Sequence, residues 1–249
     1  MCRHLAYLGP PVPLARFLFE PSHALVHQSW APREMRGGGT INADGFGVGW
    51  YPADGTDPVR YRRATPMWSD ADLPALAAAS VSTAVLAAVR SATAGMPVVE
   101  TAAAPFAEGP WLFSHNGVVT GWPSSLGKLA EGLPTTDLLT LDAPTDAALL
   151  WALVRDRLRA GAAMTSAVAD TLAEVEAAAP GSRLNLLLTD GATVVASTCG
   201  HSLAVRETGS QVLISSEPLD DDRGWRPVLD RTLLTATRQG IDFTSWGEA

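Results

Sequence analysis

The sequence holds only two cysteines in 249 residues, Cys2 and Cys199. Two cysteines cannot build a disulfide framework, which excludes the small stapled secreted domains and makes a reducing cytoplasm the simpler setting. No apolar run reaches the roughly 18 residues of a membrane-spanning helix, and no basic-then-apolar leader precedes the first strand-like stretch. Basic residues are scarce: 18 Lys+Arg against 26 Asp+Glu leave a net charge of −8. That balance excludes a general binder of nucleic acid or of an anionic membrane, either of which needs a basic surface. RYRR at 60–63 is a short basic cluster that reads as a solvated strand face. Repeats and long linkers are missing as well. His4, His23, His27 and His201 lack metal-ligand spacing, and no helix opens after the glycines of DGFGVG. Neither a metal centre nor a phosphate loop is therefore expected, and no cofactor.

Apolar residues make up 47% of the chain and charged residues 18%, enough for a sizeable core in one large domain or two small ones. CRHLAYL at 2–8 reads as a strand starting at once. PLARFLFE is a brief helix, and the stretch from His23 to Thr40 ends in a GGG loop. The glycine-rich INADGFGVGWY reads as a strand that backbone or ligand approaches closely. DLPALAAAS predicts a helix, and TAVLAAVRSAT a buried strand ending in polar residues. WLFSHNG repeats that design, an apolar strand running into a polar turn. TDAALLWALVRDRL predicts a helix with Thr145 or Asp146 near its cap. SAVADTLAEVEAAA predicts a second, closed by Pro180-Gly181. RLNLLLTD, TVVASTC, SLAVRE, QVLISSE and TLLTATRQG then read as strands separated by turns such as TDGA and ETGS. Strands at both ends with helices between imply an α+β layered domain, too irregular in alternation for a doubly wound sheet.

The position of Cys2 raises a chemical possibility. If Met1 is removed, one residue carries both a thiol and a free amine. The thiolate is the nucleophile, a free thiol titrates at about 8.5 and an α-amine at about 7.7–8.0, so the amine can take the thiol's proton through a water near neutral pH. Attack on an amide then builds an oxyanion that needs aimed donors. In SHNGV, the Asn116 amide and the Gly117 backbone N–H are candidates, although Asn-Gly is also a favoured turn dipeptide. Arg90, at the mouth of the buried strand, offers a planar fork for a carboxylate or simply a partner for a surface acid. Asp146 can cap a helix, hold a substrate ammonium, or do both. His115 orients the turn or sits as a satisfied buried imidazole. Cys199 reads as core.

MCR at the start, DGFGVGWY, RSAT, HNG, the TD-start helix, NLLLTDG and SSEPLDDD followed by a tryptophan occur in this order over nearly the whole chain. Together they resemble the class II glutamine amidotransferases, which are N-terminal nucleophile (Ntn) hydrolases, and within them the stand-alone branch that includes the γ-glutamyl hydrolase of ergothioneine biosynthesis. The resemblance implies a four-layer αββα sandwich spanning 2–249 as a single domain, with Met1 removed. It implies Cys2 as nucleophile and base, Asn116 and Gly117 as oxyanion hole, and Arg90 with Thr93 on the α-carboxylate of a glutamyl group. Asp146 would hold its α-ammonium, with His115 beside the bound group and Asp137 of PTTDLLTL as a competitor for the ammonium. Where many members read Thr-Asp-Ser-Glu this chain has TDAA, and Ala94 stands where synthase glutaminase domains often carry histidine.

The implied activity is amidohydrolysis of a small-molecule γ-glutamyl substrate, first γ-glutamyl-hercynylcysteine S-oxide, giving glutamate and hercynylcysteine S-oxide. Alternatives are a glutathione-type γ-glutamyl hydrolase or glutaminase subunit working with a separate partner, and a non-catalytic γ-glutamyl or glutamine sensor. Trp50, Trp68, Trp225 and the acids of EPLDDD are candidates to receive a cationic leaving group.

Overall fold

The computed structural model describes residues 2–36, 41–53, 55 and 57–247. Met1 and the GGG loop lie outside the described residues. Among the described residues the chain folds into two antiparallel sheets packed face to face. The first has seven strands: β1 (Arg3–Pro13), β2 (Phe46–Trp50), β3 (Val59–Arg63), β4 (Val81–Val89), and, from late in the chain, β9 (Ala204–Thr208), β10 (Gln211–Ser215) and β11 (Arg226–Pro227). Their order is β11-β9-β10-β1-β4-β2-β3. The second has six: β5 (Phe106–Glu108), β6 (Trp111–Val118), β7 (Arg183–Thr189), β8 (Val194–Ser197), β12 (Thr232–Thr237) and β13 (Gly240–Ser245), ordered β13-β12-β8-β7-β6-β5.

Side-chain alternation makes four layers of this. In β1, Ala6 and Leu8 meet Leu86 of β4 and Leu187, Ala196 and Leu234 of the facing sheet. Leu5 and Tyr7 point the other way, onto the short helices α1 (Ala15–Leu18), α2 (Leu25–Gln28) and α3 (Leu73–Ala79). On the outer face of the second sheet, Phe113, Leu184, Leu186 and Leu188 pack under the two long helices, named α4 (Asp146–Arg159) and α5 (Met164–Ala178). A strand covered on both faces reads as a continuous apolar run rather than an alternation, which is why VSTAVLAAV and RLNLLLT look as they do. Trp151 of α4, 1% exposed, stacks on Phe113 with ring centroids 5.4 Å apart, a contact of about 0.5–1.5 kcal/mol beyond the area it buries.

Thr145 is the N-cap of α4, its side chain accepting from the Ala148 N–H at 3.2 Å. Such a cap stabilises a helix by about 1 kcal/mol. It also fixes Asp146 as the first helical residue.

Two local readings change. HNG is not a turn after a strand: Asn116 and Gly117 are ladder residues of β6, opposite Asn185 and Leu184 of β7. Pairing with a central strand overrides the turn preference of Asn-Gly. Gly117 is required by that ladder, since a Cβ there would lie 1.8 Å from the Arg183 carbonyl oxygen and 2.4 Å from His115 Nε2. Cys199 lies just past β8 rather than within a strand, buried, with its backbone N–H donating to Asn185 Oδ1 at 2.8 Å.

Candidate active site

The topology gathers one end of the sandwich. Cys2 immediately precedes β1, a central strand, and Arg3 pairs with Val89, so Cys2 emerges beside the end of β4 where Arg90 begins. β2 pairs with β4 on its other side, Phe46 opposite Val89, which brings Asp44 and Gly45 against the same corner. The Arg90 N–H donates to Gly45 O at 2.7 Å and the Asp44 N–H to Arg90 O at 3.0 Å. The Asp44 carboxylate then accepts from the Ala92 N–H at 2.8 Å, fixing the course of the chain after Arg90. From the facing sheet, the end of β6 and the first turn of α4 close the corner.

The resulting pocket, about 500 Å³ including its open mouth, is lined by Cys2, Arg90, Thr93, His115, Gly117 and Asp146 among others. Partly exposed Cys2 has its Sγ 3.7 Å from the Ser91 carbonyl oxygen. Arg90 is 8% exposed, and its Nη1 donates to Pro97 O at 2.9 Å and Asp44 O at 3.4 Å. Asp146 is buried, with Oδ2 accepting from the Val119 N–H at 2.9 Å and Oδ1 from the Ala147 N–H at 2.8 Å. A fork and a carboxylate on one pocket, each oriented by backbone groups, present opposite charges to a ligand carrying both. Thr93 is exposed at the rim.

Asn116 is placed differently. It is fully buried between the sheets and absent from the pocket lining, its Nδ2 3.4 Å from Ser216 Oγ and its Oδ1 without a hydrogen-bond partner among the described residues. His115 sits on the other face of β6 and donates from Nε2 to Arg183 O at 3.0 Å. Asp137 is drawn away, held by both Nη1 contacts of Arg159 (2.9 and 2.8 Å) and by Arg155 at 3.4 Å.

Behind the pocket lies a polar layer that is kept uncharged. His4 is wholly buried, its Nδ1 3.2 Å from Ser114 Oγ. Burial, with the neighbouring His115, His201 and Arg3, pushes its pKa down to about 3. Burial, with Arg183 close by, likewise pushes His201 to about 3. The Cys199 thiol is pushed up by burial, away from reactivity.

The tryptophans separate. Trp50 packs into the core under the short helices, and Trp68 is exposed at the surface. Trp225 donates from Nε1 to Asp220 Oδ1 at 2.8 Å and lies under the Arg206 guanidinium, 5.1 Å from the ring. None of the three lines the Cys2 pocket; Trp225 lines a neighbouring cavity with Glu34, Ser216 and Glu217. Three residues that the motifs did not single out touch the candidate site: Asp44 binds the Ala92 N–H, the Ser91 carbonyl faces Cys2 Sγ, and Ser216 Oγ lies beside Asn116. Asp44 and Ser216 sit inside DGFGVG-type and SSEP segments whose resemblance was visible, but their partners are remote in sequence.

Two layers of helix around two face-to-face antiparallel sheets, with a cysteine-led strand at the centre, define an Ntn-hydrolase sandwich. Comparison with known proteins narrows this. The profile of the class-II glutamine amidotransferases matches residues 20–209. The chain is 39% identical over 249 residues to the γ-glutamyl-hercynylcysteine sulfoxide hydrolase of Mycobacterium tuberculosis (strain CDC 1551 / Oshkosh), covering 100% of this chain and 98% of that protein. It is 41% identical over 234 residues to the protein of the same name from Mycolicibacterium smegmatis, covering 94% and 95%. Among solved structures it is similar to a class-II domain protein from Silicibacter pomeroyi, with a TM-score of 0.67, 25% identity, and 99% and 100% of the two chains covered. The chain belongs to the class-II glutamine amidotransferase family.

Proposed function

We propose that this protein is an amidohydrolase that cleaves γ-glutamyl-hercynylcysteine sulfoxide into glutamate and hercynylcysteine sulfoxide, in ergothioneine biosynthesis. The observation that carries the chemistry is that Cys2, Arg90 and Asp146 open onto one pocket. The choice of substrate follows the two mycobacterial relatives, to which the likeness is nearly full-length.

In this reading the chain from Cys2 onward is one catalytic domain, and Met1 is removed. Arg90 takes the α-carboxylate of the glutamyl group with Thr93 at the rim, Asp146 takes the α-ammonium, and His115 supports the wall. The γ-amide carbonyl then lies over the Cys2 thiol. The freed α-amine accepts the thiol proton through a water, and the thiolate attacks the carbonyl carbon. The Gly117 N–H and the Asn116 amide, turned from Ser216 toward the pocket, stabilise the oxyanion. Collapse expels the leaving amine, which takes the proton back from the Cys2 ammonium, and leaves a glutamyl thioester. Water, deprotonated by the same amine, releases glutamate and restores the thiol. The substrate is a small molecule, the unpaired cysteines fit a reducing cytoplasm, and among the described residues no helix is long and apolar enough to cross a membrane.

Turnover measured side by side on glutamine, glutathione and γ-glutamyl-hercynylcysteine sulfoxide tests this. The reading expects the sulfoxide to have the highest kcat/KM. Equal or better turnover of glutathione or glutamine removes the substrate assignment.

A further inference from the structure

Cys2 stands just outside β1, whose first residue is Arg3. A chain end outside its ladder frays unless something ties it down. With Met1 gone, one torsion about the Cα–C bond of Cys2 swings amine and thiol together, while the position of Cα is set by the Cys2 peptide group. What holds that group is therefore part of how the nucleophile is aimed.

The Arg3 side chain turns back on it. Nη1 donates to the Cys2 carbonyl oxygen at 3.1 Å, and Nη2 donates to Glu34 O at 2.7 Å. Nε lies 3.6 Å from Glu217 Oε1, with both side chains 1% exposed. Glu217 completes the arrangement: Oε2 accepts from the Arg33 N–H at 2.8 Å and the Glu34 N–H at 2.6 Å. Oε1 lies 3.1 Å from His23 Nε2. Burial favours the neutral acid, but the close approach of His23 and the charge of Arg3 hold Glu217 below the usual carboxylate range. Oε2 takes two backbone donors and Oε1 faces Arg3 and His23, so donors alone surround the carboxylate, and both side chains are closed to water.

A buried ion pair is a poor source of stability, because desolvation takes back most of the attraction and an apolar pair of equal volume often does as well. Its distinctive product is geometry. A planar guanidinium can serve two carbonyls and a carboxylate in one fixed arrangement, which an ammonium cannot. Here the fork joins the peptide group of Cys2 to the 33–34 backbone, and Glu217 holds both ends of that junction.

We propose that Arg3 is a positioning residue for this hydrolysis: anchored by Glu217, it fixes the Cys2 peptide group against the segment at 33–34 and so aims the amine and thiol of the N-terminal residue. The proposal rests on Cys2 being the nucleophile. It also gives MCR and SSEP a joint purpose, since one carries the fork and the other its anchor.

The test is steady-state kinetics on L-γ-glutamyl-p-nitroanilide, with thermal unfolding and calorimetric binding of L-glutamate for each variant. Arg3→Lys keeps a buried positive charge for Glu217 but loses the fork. It is expected to fold, bind glutamate as wild type does, keep KM, and lose about 10–10²-fold in kcat, the scale of an ångström-sized misplacement. Glu217→Gln, which keeps an acceptor for the 33–34 amides and removes the counter-charge, is the second variant and is expected to move kcat in the same direction. A kcat within about twofold of wild type in the folded variants overturns the proposal. So does a loss shared equally by kcat, KM, glutamate affinity and Tm, which marks a general structural role. Cys2→Ala measured alongside separates the two failures. Activity surviving Cys2→Ala removes the nucleophile itself, whereas an inactive Cys2→Ala beside a fully active Arg3→Lys removes only the clasp.

Discussion

The Asp146 carboxylate bridges two backbone N–H groups, Val119 at 2.9 Å and Ala147 at 2.8 Å, and so pins the first turn of α4 to the chain leaving β6. The residue also lines the Cys2 pocket. Asp146→Asn keeps the shape but turns one acceptor into a donor and removes the charge. We expect kcat/KM on any γ-glutamyl amide to fall by about 2 kcal/mol, chiefly through KM. Kinetics with a parallel unfolding curve check this; a lower Tm with unchanged KM would mark Asp146 as purely structural.

Arg90→Lys should impair every γ-glutamyl substrate alike. Arg90 spends Nη1 on Pro97 O and Asp44 O, and a lysine cannot both keep such a tie and present a planar fork. The expected loss is about 2 kcal/mol in kcat/KM, measured on two amides with unlike leaving groups. Impairment of one amide alone would contradict the assignment of Arg90 to the glutamyl end.

Asn116→Ala should lower kcat by about 10²–10³ with little change in KM, because an oxyanion donor acts in the transition state. The residue sits between the sheets with its amide near Ser216, so the side chain has to turn for the task. If KM rises and kcat holds, Asn116 is a binding residue.

Much of the frame was legible before the structure. The apolar runs at 81–89 and 183–189 end in polar residues where the strands end, and TDAALLWALVRDRL begins at its threonine cap. The layering was not legible from pattern, because strands covered on both faces lose the alternation that tells inside from outside; it came from resemblance. HNG misled because a turn preference is local and the β6–β7 ladder is not. β13, with Asp242 to Thr244 exposed on an edge strand, carries too weak an apolar signal to be read. Of the candidate site, Cys2, Arg90 and Asp146, which line one pocket, were legible by residue type and motif. The ties of Arg3 to Glu217 and of Asn116 to Ser216 join opposite parts of the chain, and no spacing rule predicts them.

Stability should rise with pH between about 3 and 6.5. His4 and His201 hold pKa values near 3 when folded, against about 6.5 unfolded. In that window the unfolded chain binds more protons, so their contribution is complete above the unfolded pKa and drains away as pH falls toward the folded one. Each histidine adds a slope of up to about 1.4 kcal/mol per pH unit. Urea denaturation across the window measures the slope, and His201→Gln should reduce it. A flat profile would mean that these imidazoles are not held neutral by burial.

The most direct measurement is hydrolysis of γ-glutamyl-hercynylcysteine sulfoxide by wild type and Cys2→Ala, with intact mass recorded for both chains. Wild type is expected to be active and to lack Met1, and Cys2→Ala to keep its Tm, bind the substrate and release no glutamate above background. Cys2→Ala turnover above about a tenth of wild type, or full activity in a chain whose mass still includes Met1, would contradict the assignment of Cys2.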